Sequence, residues 1–350
     1  MTWLTWRQFR VQALTATAAL AAFAALLAAT GPHLVSLYAT SGISGCQPAS
    51  CEHLASNFLQ QLYAAGTYWV LYLLGVVLIL LAPAVIGAFW GAPLIARELE
   101  TGTSALAWNQ SITRTRWLAV KLALTGLAAI AVTEGLSLMQ AWWAAPIGRA
   151  VGHNGGGTNL AMGRFSSLVF ATHGITPLGY AAFAFALGVT AGVLIRRTVP
   201  AMAVTLAIFA VLQVAVPLWI RPQLFPPRHT FVSVASLGSI SLQQGGLNGS
   251  SFNLGTGDLP GQPGAWLLSS GAVNAAGHAT STTPAACTTP SMRNTPALLD
   301  CLASHGIREA VTYQPASRYW PFQWTETAIY LALALALAGY CFRRLNRRLS

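Results

Sequence analysis

Acidic side chains are scarce in this 350-residue chain, eight in all, and two of them, Glu98 and Glu100, stand two residues apart. With Arg97, Arg114, Arg116 and Lys121 they make a polar island over residues 91–121, set between two long apolar runs. The chemistry this arrangement suits is docking. An acidic pair on a short surface helix accepts polar contacts from another protein, and the basic set after it meets lipid phosphates where the chain re-enters a bilayer. A third acid, Glu134, lies inside an apolar run. An ionisable group within a membrane is a transport-pathway or proton-relay candidate; a carboxylate near the outer interface, hydrogen-bonded to a neighbouring helix, is the structural reading that stays open beside it. At a helix centre such a group costs roughly 2.5–3.5 kcal/mol, while each Leu, Ile or Val contributes about −0.3 to −0.6. The apolar residues from Leu118 to Leu138 therefore keep this run insertable. Glu134 and Glu326 alone do not supply the converging acids, bases or ligands that a membrane-embedded enzyme would need.

Other reactive side chains point to structure more than to catalysis. Cys46 and Cys51 flank a proline, and Cys287 and Cys301 lie in a polar stretch; each pair is a candidate disulfide in an oxidising compartment, with unpaired thiols as the alternative. None of the seven histidines, His33, His53, His153, His173, His229, His278 and His305, shows His-x3-His or His-Glu-x-x-His spacing. The run His153-Asn154-Gly155-Gly156-Gly157-Thr158 is glycine-rich, but the phosphate-cradling Gly-x4-Gly-Lys-Ser/Thr pattern occurs nowhere in the chain. No residue is assigned a catalytic, cofactor-binding or metal-ligating role.

The elements that must carry these groups are apolar helices. Hydrophobic residues make up 54% of the chain and charged residues 8%, with a mean hydropathy of +0.55; soluble domains run at about 25% charged. The expected fold is an all-α polytopic membrane protein with about six transmembrane helices. Residues 1–10 read as an interfacial segment, with Trp3, Trp6 and Phe9 interleaved with Arg7 and Arg10. Helices one to five occupy 11–220, 221–323 form an extracytoplasmic domain or long loop of unread fold, and 324–350 hold helix six and a basic tail. A secretory signal peptide also starts basic and turns apolar, but the run from Val11 to about Ala29 exceeds the usual core of about 7–15 residues. Thr30-Gly31-Pro32 then closes the first helix. Pro83 is a candidate kink, and Gly87/Gly91 and Gly188/Gly192 have the spacing of close helix packing.

The net charge of +11 would suit nucleic acid, yet the basic residues gather at the ends of apolar runs. With the amino terminus inside, about twelve of the 19 Lys and Arg residues fall on the side with far less loop, as membrane insertion favours. Both termini are then cytoplasmic, and the four candidate disulfide cysteines lie outside, with Cys341 near the reducing side. The basicity reports orientation in lipid and implies no nucleic-acid partner.

Two motifs carry a family resemblance. Arg97-Glu98-Leu99-Glu100-Thr101-Gly102-Thr103 after the second helix, then Trp108-Asn109-Gln110-Ser111-Ile112-Thr113-Arg114-Thr115-Arg116-Trp117 leading into the third, resembles the permease subunit of ABC-2 type transporters in its actinobacterial form. The likeness extends to WRQFR from Trp6, LIRRTVPAMAVT from Leu194 and YWPFQWTE from Tyr319, and fades between Arg221 and Thr312. It implies a transmembrane half that works as a homodimer or heterodimer with a separate ATPase subunit, usually for export. ATP and Mg would sit on that partner, with no cofactor in this chain. By motif position, Arg97, Glu98, Glu100, Gly102 and Thr103 couple to the ATPase, Gly102 permitting a tight turn, while Arg114, Arg116 and Lys121 form an interfacial basic set. The competing reading is a membrane sensor or envelope assembly factor whose outer domain binds a ligand.

Overall fold

The computed structural model describes residues 2–46, 48–100, 114–153, 163–236, 241–243, 251–253, 259, 261–280, 284–287 and 295–347. Gly102, Thr103, the motif from Trp108 to Thr113 and the glycine-rich run from Asn154 lie outside the described residues, and Arg114 is described in its backbone only.

Among the described residues, six stretches are long and apolar enough to cross a membrane: Phe9–Thr40, Thr67–Glu98, Thr115–Trp143, Thr176–Ile195, Thr198–Gln223 and Ala316–Arg344. About 20 helical residues suffice for a hydrocarbon core of roughly 30 Å. Their outer sides stay apolar, with Val70, Leu127, Val211 and Leu335 between 63 and 73% exposed, a surface suited to lipid. Thr176–Ile195 is the central helix: 78% of its apolar window is buried, against 11–44% in the other five.

Helix α1 (Thr2–Thr40) is continuous through both the expected interfacial segment and Pro32. A proline removes one backbone bond, and the turns beyond it are held by tertiary packing. Leu34 and Tyr38 are buried in one cluster with Phe58 and Leu62 of α2 (Pro48–Ala65), Tyr38 meeting Phe58 edge-on at 5.7 Å between ring centres. Helix α2 occupies what the sequence suggests is loop. Its buried residues Cys51, Ala55, Phe58 and Leu62 recur at spacings of three and four, the mark of one packed helical face.

Helix α3 (Thr67–Ile86) runs through Pro83 into a π-helical turn at Gly87–Gly91 and then into α4 (Ala92–Glu100), so the second membrane helix and the polar island share one axis of chain. Next come α5 (Arg114–Trp143), the short α6 (Ala145–His153) and α7 (Ser167–Thr172), the central α8 (Thr176–Ile195) and α9 (Thr198–Ala215). A π turn at Val216–Ile220 and a 3-10 turn at Arg221–Gln223 finish the fifth crossing.

The segment whose fold was unread contains an antiparallel sheet. Strands β1 (Arg228–Ser233), β4 (Trp266–Val273) and β5 (Arg308–Gln314) pair in the order β1-β5-β4, and β2 (Ser241–Gln243) pairs with β3 (Ser251–Asn253). On β5, Glu309, Val311 and Tyr313 are buried at the period of two that a covered sheet face requires. Helix α10 (Thr295–Ser304) contributes Leu298, Leu299 and Leu302 to that core. Disulfides join Cys46 to Cys51 and Cys287 to Cys301, and Cys341 is a buried free thiol. The sixth crossing is α11 (Tyr319–Arg347).

Candidate functional site

The site is built where the π turn crosses the central helix. A Cβ added at Gly188 would lie 2.0 Å from the carbonyl oxygen of Gly87, and one at Gly87 would lie 2.5 Å from that of Ala184. One turn further, a Cβ at Gly91 would be 2.6 Å from the oxygen of Phe185 and one at Gly192 would be 2.5 Å from that of Ala92. The two Gly-x3-Gly spacings therefore face each other, backbone on backbone, and any side chain at these positions would force the helices apart. A π turn widens the helix by one residue and is common at functional sites. Here it sets the start of α4 against α8, with Ala92, Ile95 and Ala96 buried.

The two carboxylates of α4 are both engaged within the chain. Glu98 forms an ion pair with Lys121 on α5, whose ammonium also lies 4.5 Å from the centre of the Trp117 ring. Lys121 is the only lysine in the sequence, and its side chain is 3% exposed. It does not face lipid headgroups as the sequence suggested, because Glu98 provides the counter-charge that lets an ammonium be buried; Arg116 is exposed. Glu100 Oε2 accepts hydrogen bonds from the Thr198 hydroxyl at 2.8 Å and the Thr198 amide at 3.2 Å. Thr198 is the first residue of α9, where amide donors have no partner inside the helix. The Thr198 hydroxyl, then its amide, hold the Glu100 carboxyl below the ordinary carboxylate range, with help from the charge of Arg197. Arg97 is exposed on the same arm.

A second polar cluster lies at the sheet end of the bundle, and sequence reasoning missed it. Arg221, just past the expected end of helix five, donates from Nε to Glu326 Oε2 at 2.8 Å and from Nη2 to Glu326 Oε1 at 3.0 Å. The Tyr180 hydroxyl donates to Glu326 Oε1, and the guanidinium lies 4.0 Å from the centre of the Phe170 ring. Arg221 and Glu326 are 0 and 1% exposed. Close by, Gln323 accepts at Oε1 from the amides of Ile175 and Thr176, at 3.0 and 3.2 Å, and donates from Nε2 to the carbonyls of Phe170 and His173, both at 3.1 Å. One side chain of α11 thus serves the start of α8 and the end of α7. Gly174 makes this fit: its φ is +75°, and a Cβ there would sit 2.6 Å from Gln323 Oε1. Burial pushes the neighbouring His173 imidazole below the usual histidine range.

Glu134 stands apart from both clusters. It is half-buried on α5, and its Oε2 has no hydrogen-bond partner among the described residues. The Glu326 carboxylate is committed to Arg221 and Tyr180, so the two intramembrane acids do not form a dyad.

A family model described as ABC-2 membrane transporter related matches residues 17–221. The match begins within the first crossing, takes in the second to fourth, the α4 arm and the fifth crossing as far as Arg221, and stops before the sheet. No curated protein and no solved structure matched the chain.

Proposed function

The chain belongs to the ABC-2 membrane transporter related family, and from that premise we propose that it is the permease subunit of an exporter driven by a separate ATPase. It is a multi-pass transporter subunit and not itself an enzyme; ATP and Mg belong to the partner. The observation that carries the coupling role is the seating of α4. The arm continues α3 through the π turn, lies backbone-to-backbone on α8, and is fastened to α5 by Glu98–Lys121 and to α9 by Glu100–Thr198. A push on this arm would reach four membrane helices at once, which is what an alternating-access change between two packings demands.

The arm faces the cytosol in this reading, on the side where Arg196, Arg197, Arg343 and Arg344 gather at helix ends. Glu98 and Glu100 then act as ties inside the permease, and the ATPase is met by Arg97 together with the Gly102–Thr103 stretch. Two permease halves and two ATPase subunits complete the transporter.

Copurification from the native host tests this. Arg97→Glu is expected to lose the ATPase while the permease keeps its thermal stability. If that variant, and a second carrying Gly102→Trp, both retained full ATPase binding, the arm would not be the docking surface.

A further inference from the structure

Three donor atoms converge on the sheet-bearing segment. His305 Nδ1 lies 3.8 Å from Cys287 Sγ and 4.0 Å from Cys301 Sγ, and the ligand atoms of the three residues fall within 4.8 Å of one another. Cys301 and His305 stand one helical turn apart at the end of α10, so their side chains share a face. Cys287 arrives from the short turn Ala285–Cys287 and is buried, whereas His305 is exposed. Metal bonds of about 2.3 Å to sulfur and about 2.0–2.1 Å to nitrogen place S and N donors about 3.6 Å apart at the tetrahedral angle. The two nitrogen–sulfur separations approach that value, while the two sulfurs are bonded to each other and must part on reduction. The pattern is Cys-x3-His with a distant Cys, which a search for paired histidines passes over.

We propose that Cys287, Cys301 and His305 form a thiol-gated site for a thiophilic d10 cation of the Zn2+ class. The joined sulfurs are the closed state. A dithiol reductant opens it: its first thiolate attacks Cys301 Sγ, the more accessible sulfur, and Cys287 leaves as a thiolate. The second thiol of the reductant then displaces Cys301, so the dithiol becomes a disulfide and the protein gains two electrons and two protons. Cation binding displaces those two thiol protons. The His305 Nδ1 proton, donated to the Cys301 carbonyl at 2.9 Å in the closed state, moves to Nε2 and leaves Nδ1 free to coordinate. Three protein ligands leave the fourth position, on the exposed His305 side, for water or a further donor.

The test uses the full-length permease in detergent, reduced with a phosphine that is then removed without air, and titrated with Co2+ alone. Sulfur-to-cobalt charge-transfer absorption is expected in the reduced protein and not in the oxidised one. His305→Ala, checked to match the wild type in circular dichroism and thermal unfolding while oxidised, should weaken Co2+ binding more than about tenfold, at least what loss of an outer-shell partner costs. Cys46→Ser/Cys51→Ser should leave the titration unchanged. No band in the reduced protein, an unaltered titration in His305→Ala, or loss of the band in the Cys46/Cys51 variant would each overturn the site.

Discussion

Glu100 closes the amino-terminal end of α9 across 98 residues of sequence, its Oε2 taking both the hydroxyl and the amide of Thr198. The polar island therefore ends on the fifth membrane helix and not only between the second and third. Because these hydrogen bonds favour the ionised carboxylate, its folded-state pKa is lowered, so the contact is fully present above the ordinary Glu range and is lost as pH falls through the lowered value. The protection of the Thr198 amide against hydrogen exchange, taken relative to its intrinsic rate at each pH, should fall on acidification through that window, and Glu100→Ala should show that low protection already at neutral pH.

The Glu98–Lys121 pair carries a sharper expectation. Glu98→Gln leaves a buried ammonium without its counter-charge, and breaking one side of a buried pair typically costs about 3–5 kcal/mol. The double variant Glu98→Gln/Lys121→Met removes the orphaned charge and should recover most of that loss. Denaturant unfolding in a single detergent would measure both.

Close approach at the π turn separates two glycines that look alike in sequence. Gly188→Ala places a methyl against the backbone oxygen of Gly87, which cannot yield as a side chain can. The expected cost is at or above the usual overpacking range of about 1–3 kcal/mol. Gly148→Ala on α6 meets nothing within 4 Å among the described residues and should stabilise by about 0.5–1 kcal/mol through helix propensity alone. Thermal unfolding of the two variants in parallel decides this.

At the sheet end, Glu326→Gln strands the Arg221 guanidinium in a fully buried position, with an expected loss of about 3–5 kcal/mol. Arg221→Met/Glu326→Leu removes both charges and should lie much nearer the wild type. If the single and double variants unfolded alike, the ion pair would not be what holds these helix ends.

Much of this architecture was legible from composition. Six crossings follow from runs of Leu, Val and Ala bounded by arginine, and the Gly87/Gly91 and Gly188/Gly192 spacings announced close packing. What they packed against was not legible, since two identical spacings on different helices carry no label of each other. Lys121 was misplaced for a related reason. Sequence shows a lysine at a helix entrance, the usual position for a headgroup contact, and only the fold brings Glu98 to it. Arg221 and Glu326 are 105 residues apart, so each looked like an isolated charge. Pro32 did not end α1 because burial of Leu34 and Tyr38 outweighed one missing backbone bond. The sheet escaped notice because its strands are short and lie among Gly, Ser and Thr.

Strand β1 follows directly on the fifth crossing and β5 leads into the sixth, and the two are zipped from Arg228↔Tyr313 to Ser233↔Arg308. The ends of these crossings nearest the sheet are thereby stitched together. Were cargo released sideways into the lipid, that seam would bar the gap beneath it, and the doorway would have to open on another flank of the bundle.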